Sequence, residues 1–332
     1  MNGRAFSKIK KKKAAFCRFK ETKQYSDYLE YVSARNAAKS EIRKAVRDYE
    51  KEIAKCAKTN PKAFYRYANS KVKSQTRFPD MKYDDGTEVT GNKDKAELFN
   101  KFFGSMYTVE DMAHIPVLPP KECCQTLNMV EFTASDIQKL LSNLNCNKSP
   151  GPDNIHPRVL KECAGVLAEP LCFLFTTSLH QGQLPGMWKD AKVTPIFKRG
   201  SRADVGNYRP ISLTSICCKT MEKLVRDSVL QHMVVNNFLS DNQHGFVHGR
   251  SCTTQLLKVI DKITEMMDAG IDLDIVFLDF SKAFDSVPHQ RLLSKLESYG
   301  VCGPVLEWTR SFLSSRRQQV VVEGVVTGFI LG

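Results

Sequence analysis

Residues 275–285 read Ile-Val-Phe-Leu-Asp-Phe-Ser-Lys-Ala-Phe-Asp and place two carboxylates after a short apolar run. The apolar run predicts a buried strand over residues 274–280, near whose end Asp279 lies. A carboxylate there must recover its lost hydration from a partner, and Mg²⁺ is a suitable hard cation. The alternative is that Asp279 caps the next turn. Asp285 is either a second ligand or the cap of a helix after Pro288, and we favour the cap.

A second group of chemically capable residues is cationic. Residues 191–197 and 208–213 are rich in strand-forming side chains, and the polar stretch between them predicts a hairpin. The cations of this hairpin are Lys198, Arg199, Arg202 and Arg209. Arginine binds phosphate oxygens in pairs and lysine binds them as a point charge, so such a hairpin suits a triphosphate. The alternative is an ordinary solvated turn.

Histidine and cysteine give weaker signals. His244 and His248 are four residues apart, which suits a metal on a helix, but Gly245 and Gly249 favour a turn instead. The eleven cysteines include no Cys-x-x-Cys pair. Their odd number and scattered positions predict reduced thiols without disulfide partners.

The charge is distributed unevenly along the chain. The 332 residues have a net charge of +13, and residues 1–80 alone hold 22 basic and 8 acidic residues. The remaining 252 residues are close to neutral, so the basic excess belongs to the N-terminal part. A cationic segment of this kind indicates a polyanionic partner, either nucleic acid or an anionic membrane surface. No apolar run reaches the 18 or so residues of a membrane-spanning helix, and we expect no membrane partner.

The positioning elements follow from the hydrophobic spacing. Residues 5–59 contain neither Gly nor Pro and predict one extended basic helix or two helices. The aromatic and basic residues after Pro61 suit single-stranded nucleic acid, or else an aromatic face that packs on the rest of the protein. An Asp-Gly turn at 85–86 predicts a hairpin, and a Pro- and Cys-rich connector occupies residues 109–130. Helices and strands without strict alternation indicate an α+β fold.

Five sequence blocks occur in a recognisable order. They are Asn-Lys-Ser-Pro-Gly-Pro-Asp at 147–153, the segments 188–198 and 206–213, Asn-Gln-His-Gly-Phe with Gly-Arg-Ser at 242–251, and Leu-Asp-Phe-Ser-Lys-Ala-Phe-Asp-Ser-Val at 278–287. This order resembles the reverse transcriptase of non-LTR retrotransposons, of the LINE type and jockey-like.

The resemblance implies a right-hand polymerase with fingers from about residue 95 to 270 and the start of a palm after that. The implied organisation is a basic helical linker over 1–80, a hairpin, helix and connector over 81–130, and an incomplete reverse transcriptase domain over 131–332. The implied activity is RNA-directed DNA synthesis.

The resemblance also implies roles for individual residues. Asp279 matches the first metal-binding aspartate, the carbonyl of Phe280 is a further metal ligand, and Phe284 lies under the incoming sugar and rejects a 2′-hydroxyl. The cofactor is Mg²⁺, with two ions in the complete enzyme. Lys198 and Arg209 match the cations that hold the triphosphate of the dNTP, with Arg199 as a rival to Lys198. The residues expected near the template are Gln243, Gly245 and Arg250.

The implied partners are an RNA template, a DNA primer and dNTPs, with residues 1–80 in contact with nucleic acid. The family's Tyr/Phe-Ala-Asp-Asp hairpin does not occur in the sequence, and Asp84 and Asp85 lie too far from the palm to replace it. We therefore expect a fragment or a degenerate copy that is inactive alone. The alternatives are a non-catalytic nucleic-acid-binding remnant and a domesticated protein-interaction module. The family implies an intracellular location, nuclear or cytoplasmic.

Overall fold

The computed structural model describes residues 3–71, 78–82 and 86–331, with the backbone alone for 69–71. The chain divides into two compact units, Met1–Arg77 and Phe78–Gly332. Within the described ranges, none of the helices has the length and hydrophobicity that a bilayer-spanning segment needs. All eleven cysteines are free thiols.

The first unit is helical. It contains α1 (Gly3–Thr22), α2 (Tyr25–Lys55) and α3 (Pro61–Lys71), so the basic segment forms two long helices rather than one. Lys23 turns the chain with φ at 53°, and α2 then runs back along α1. The Phe19 and Tyr28 rings, with centroids 5.3 Å apart, face each other across this hairpin. Buried alanines, among them Ala15 and Ala38, let the two helices approach closely.

The second unit mixes helices and strands, which confirms the α+β prediction at that level. Before the main sheet come β1 (Met81–Lys82), β2 (Glu88–Val89), α4 (Asn92–Gly104), α5 (Ala134–Ser142), α6 (Pro157–Glu162) and α7 (Ala164–His180). After them come β3 (Asp190–Phe197), β4 (Tyr208–Leu213), α8 (Ile216–Val235), α9 (Cys252–Asp268), α10 (His289–Ser298), α11 (Gly303–Leu313), β5 (Arg317–Val322), β6 (Val325–Val326) and β7 (Ile330–Leu331).

Three helices of the second unit begin at a residue whose side chain caps the helix. Thr133 accepts a hydrogen bond at the start of α5, and Ser215 does the same for α8. At α9, Ser251 and Thr254 form a reciprocal capping box. The short β1 and β2 pair antiparallel on either side of the predicted Asp-Gly turn, whose residues 83–85 lie outside the described part.

The main sheet has the strand order β4-β3-β5-β6, with β7 also paired to β5. The β3 and β4 strands form an antiparallel hairpin, while β3 and β5 run parallel. One face of the sheet packs on α4, where Val193, Val320, Phe99 and Phe103 are buried together. The opposite face of β3 and β4 is partly open to solvent.

A second core joins the helices. It includes Ile137 and Leu141 of α5, Phe175 of α7, Met221 of α8 and Val305 of α11. The four helices that contribute these residues therefore share one hydrophobic core.

The connector of residues 109–130 is held along α10 and the residues that follow this helix. The backbone N–H of Leu127 donates to the carbonyl of Gly300 at 2.8 Å, and that of Cys302 donates to the carbonyl of Leu127 at 2.9 Å. Leu127 thereby forms a parallel bridge with Val301. The backbone N–H of Cys124 donates to Oδ1 of Asn236, 2.7 Å away, just after α8. Hydrogen bonds therefore fix the path of this segment although it has no long element of its own.

The predicted buried strand over 274–280 is wrong. These residues form no strand, and Phe277 and Leu278 are 89% and 90% exposed. A strand needs neighbours that accept and donate its backbone hydrogen bonds. In the described part of the chain no strand pairs with this segment. The apolar composition of residues 274–280 therefore suits the interior of a sheet, but none of the described strands lies beside this segment to pair with it.

Candidate functional site

The open face of the β3–β4 hairpin positions two of the predicted cations side by side. Side chains alternate along β3, so that Ala191, Val193 and Pro195 are buried while Ile196 is exposed. Ile196 pairs with Arg209 across the hairpin, which places Arg209 on this exposed face. Lys198 follows Ile196 by two residues and continues the same face. Lys198 and Arg209 are therefore neighbours on one open surface.

The turn of the hairpin is held by its own polar groups. The N–H of Lys198 donates to the carbonyl of Asn207 at 2.8 Å, and the Asn207 amide donates to the carbonyl of Ser201 at 3.0 Å. The guanidinium of Arg202 lies 4.5 Å from the centroid of the Phe197 ring. Arg202 therefore packs on its own hairpin, which separates it from the other three cations.

Lys198, Arg199 and Arg209 are exposed, and none of them forms an ion pair with a described acidic residue. The ion pairs of this region involve other residues, such as Asp190 with Arg317 at 2.8 Å. Three cations without a carboxylate partner create a positive potential that favours a polyanionic ligand.

The block at 147–153 lies against the other end of the same hairpin. A Cβ at Gly151 would be 2.6 Å from the carbonyl oxygen of Thr214, so the backbone approaches the end of β4 as closely as glycine permits. Lys192 on the open face donates from Nζ to Oδ1 of Asn154 at 3.1 Å. The sequence did not indicate this contact, because it joins residues 38 positions apart. The loop of residues 147–154 therefore contacts both the open face of β3 and the end of β4.

Asp279 lies in the exposed segment that replaces the predicted strand, and Phe280 is 85% exposed. The turn that follows is anchored at two places. Thr108 donates to the carbonyl of Ser286 at 2.9 Å, and Nζ of Lys282 lies 5.4 Å from the centroid of the Phe102 ring. No described contact joins Asp279 to Lys198 or Arg209.

The two-ion magnesium site expected from the resemblance does not fit the described residues. They contain no group of three or more His, Cys, Asp or Glu side chains that could hold a metal ion. Asp279 and His244 therefore belong to no such group. Nδ1 of His244 lies 2.9 Å from the hydroxyl oxygen of Thr254. We therefore derive no step through a metal ion.

The structure corrects the expected role of Asp285. The N-terminus of α10 is capped by Glu110 of the connector, whose carboxylate accepts from the backbone N–H groups of Gln290 at 2.8 Å and Arg291 at 3.0 Å. Burial works against the charged form, but these hydrogen bonds and the Arg291 guanidinium hold the pKa of Glu110 below its usual range. The Asp285 side chain makes no capping hydrogen bond to α10. The cap comes from 180 residues earlier in the sequence, where no local pattern could reveal it.

Asp285 instead lies near Tyr107. Burial and the Asp285 carboxylate together raise the pKa of the Tyr107 phenol. The Tyr107 hydroxyl donates to Oε1 of Gln318 on β5 at 2.8 Å. The neighbouring residues Tyr107 and Thr108 thus hydrogen bond to the main sheet and to the turn at Ser286, respectively.

The block at 242–251 forms a loop around the guanidinium of Arg250. This group donates to the carbonyls of Ser240 and Gln243 at 2.9 and 2.8 Å and pairs with Asp241 at 3.1 Å. The same loop projects Phe246, whose ring centroid is 5.9 Å from that of Phe284. The structure therefore brings the expected template block and the expected sugar-contacting residue together, whereas Arg250 is committed to the loop itself.

Part of the chain is similar to a known protein family. Residues 196–332 match the family model described as reverse transcriptase (RNA-dependent DNA polymerase). The matched segment begins within β3 and includes Lys198, Arg209, Asp279 and Phe284. Enzymes of this family generally use divalent metal ions.

The similar proteins belong to mobile elements without long terminal repeats. The chain is 30% identical over 218 residues to the probable RNA-directed DNA polymerase from transposon BS of Drosophila melanogaster, which covers 62% of this chain and 24% of that protein. It is also 30% identical over 201 residues to the RNA-directed DNA polymerase from mobile element jockey of the same species, covering 60% of this chain and 22% of the relative.

These matches confirm the resemblance to reverse transcriptases of non-LTR retrotransposons. The chain spans about a quarter of the length of the curated relatives that it matches.

Proposed function

We propose that this chain is part of the RNA-directed DNA polymerase of a non-LTR retrotransposon, and that residues 131–332 supply its fingers and the first segment of its palm. The observation that carries the proposal is the open face of the β3–β4 hairpin. There Lys198 and Arg209 are neighbours that pair with no acidic side chain of the described residues, inside the segment that matches the reverse transcriptase family.

In this proposal the hairpin binds the triphosphate of an incoming dNTP. Arg209 donates two hydrogen bonds to phosphate oxygens, and Lys198 adds a point charge, with Arg199 able to take the place of Lys198. These cations hold the nucleotide and stabilise negative charge that develops on the phosphate during transfer.

Phe284 and Phe246 form the apolar side of the proposed site. Their exposed rings meet edge to face, so they present a continuous apolar surface to a sugar or a base. Gln243 and Gly245 lie in the same loop and contact the template. Arg250 acts by holding that loop in shape, because its guanidinium is already hydrogen bonded within it.

Asp279, which the resemblance matches to the first metal-binding aspartate, would supply only one carboxylate to a divalent-metal site. One carboxylate does not hold two ions, so a complete site needs ligands besides those that the described residues bring to Asp279. The basic residues among 1–80 bind the RNA template or the DNA primer through their phosphates.

The second candidate is a nucleic-acid-binding module without catalysis, which the exposed setting of Asp279 favours.

The two candidates differ in nucleotide binding. We expect the 332-residue chain to bind dTTP with Mg²⁺ in isothermal titration calorimetry. Lys198→Gln and Arg209→Gln are each expected to weaken this binding about fivefold or more. Each variant removes a charge-assisted contact worth at least about 1 kcal/mol.

Lys219→Gln is the matched control for this titration. Lys219 is an exposed lysine of α8 that forms no ion pair within the described residues, and we expect its variant to bind dTTP normally. Equal affinity of all four proteins, or RNA binding without any dTTP binding, contradicts the polymerase proposal and supports the second candidate.

A further inference from the structure

The cationic charge of the first unit is concentrated on α1. This helix holds eight basic residues and one acidic residue, Glu21. Among the described residues only Arg18 of these eight forms an ion pair, with Glu30 of α2 at 2.9 Å. In α2 acidic and basic residues are nearly balanced. The remaining cations of α1 therefore create a positive surface that favours a polyanionic ligand.

An open notch of about 310 Å³ lies beside this positive surface, between α1 and α2. It is lined by Ile9, Lys12, Lys13 and Phe16 of α1 and by Tyr31 of α2. The centroids of the Phe16 and Tyr31 rings are 5.1 Å apart and their planes are inclined by 51°. The rings therefore form two walls of the notch, and Phe16 is 45% exposed to it and to solvent.

We propose that this notch binds an unpaired nucleobase of single-stranded nucleic acid, with Lys12 and Lys13 on the adjacent phosphates. Aromatic rings with lysines beside them suit a base and its backbone, because bases of any sequence stack on such rings. A duplex keeps its bases stacked inside and offers phosphates, sugars and base edges, but no free base face for stacking. The inference rests on the proposed nucleic-acid contact of residues 1–80, and it specifies the site and the form of nucleic acid.

A membrane surface is the weaker alternative occupant. A helix that lies on a membrane needs a continuous exposed apolar face. In α1, Ala5 and Ala15 are buried, and Ile9 and Phe19 are partly covered. Covered residues therefore interrupt the exposed apolar area of this helix. All of its basic residues, in contrast, are at least partly exposed.

The test measures the affinity of the full chain for a fluorescent single-stranded RNA by anisotropy. We expect Phe16→Leu to weaken binding about fivefold or more, because the variant keeps an apolar side chain but loses the stacking ring. Phe6→Leu is the matched control, since Phe6 is a 53% exposed aromatic residue of the same helix outside the notch. Circular dichroism verifies that both variants keep their helical content.

Charge is tested separately from stacking. We expect the double variant Lys12→Gln, Lys13→Gln to lower the slope of log affinity against log salt by about 1.4, or about 0.7 for each lost phosphate contact. If this variant binds weakly while Phe16→Leu binds like Phe6→Leu, the notch proposal is overturned but the electrostatic contact stands.

Two further probes complete the test. Duplex RNA is expected to bind Phe16→Leu and the unaltered chain equally, and a difference there would overturn the inference. Binding to vesicles with anionic lipids, but to neither RNA, would overturn both the inference and the proposed nucleic-acid contact. None of these outcomes depends on polymerase activity.

Discussion

Glu110 stabilises a helix to which it does not belong. Its carboxylate is only 10% exposed and accepts two backbone hydrogen bonds at the N-terminus of α10. We expect Glu110→Ala to lower the free energy of unfolding by about 1–2 kcal/mol at neutral pH, as loss of a helix cap does. Urea unfolding monitored by tryptophan fluorescence measures this, because Trp188 and Trp308 both lie in the helical core of the second unit.

The pH dependence of this effect has a definite sign. Because the pKa of Glu110 is lowered in the folded protein, its contribution is complete above the ordinary carboxyl pKa of about 4.3 and is lost as the pH falls through the lower folded value. The difference between Glu110→Ala and the unaltered chain is therefore expected to shrink in acid. Asp285→Ala is the control and is expected to leave α10 unaffected; a loss equal to that of Glu110→Ala would contradict the assignment of the cap.

At the scale of elements, the contact between the 147–153 loop and the end of β4 leaves no room for a side chain. We expect Gly151→Ala to destabilise the second unit by about 1–3 kcal/mol, because the new Cβ meets the backbone of Thr214 and Ser215 rather than a movable side chain. Gly186→Ala is the matched control, since nothing lies within 4 Å of its added Cβ. Equal urea midpoints for the two variants would show that the loop moves away easily.

The elements differ in how far local sequence determines them. The β3–β4 hairpin was predictable because alternating side chains and a polar turn specify it, and its pairing depends on its own two strands. The helix after Pro288 was predicted from the sequence, and the structure contains α10 at that position. The segment at 274–280 was not, because an apolar strand forms only where other strands receive it.

In the candidate site too, the local sequence predicted some features and missed others. The sequence indicated Lys198 and Arg209 as cations of one hairpin, and the register of that hairpin places them on one face. It did not indicate that Arg250 holds its own loop or that Phe246 meets Phe284, because those contacts depend on how loops fold in three dimensions. The spacing of residues along the chain therefore indicated which side chains could bind a ligand, but not which residues they contact in the folded protein.

At the scale of the whole molecule, the two compact units differ in charge and in content. The unit Met1–Arg77 carries most of the basic excess, while Phe78–Gly332 contains both hydrophobic cores described above. We expect deletion of residues 1–77 to leave the tryptophan-monitored unfolding transition unchanged, because all the described residues that form the two cores lie in Phe78–Gly332. The same deletion is expected to remove most of the salt dependence of RNA binding.

Both measurements use the deleted chain beside the full chain in the same buffers. A second unit that no longer unfolds cooperatively would show that the first unit supports its folding. Salt-dependent RNA binding that survives the deletion would place the main phosphate contacts in the second unit instead.

The parallel pairing of β3 with β5 has a consequence for the order of folding. Its ion pair between Asp190 and Arg317 joins positions 127 residues apart. During synthesis the β3–β4 hairpin leaves the ribosome long before β5 exists, so one edge of β3 stays without its neighbour while α8 to α11 are being made. An unpaired strand edge is a site for pairing with other chains. Nascent chains of this protein therefore expose an unpaired edge of β3 to aggregation between the release of residue 197 and the arrival of residue 317, an interval in which a chaperone would protect them.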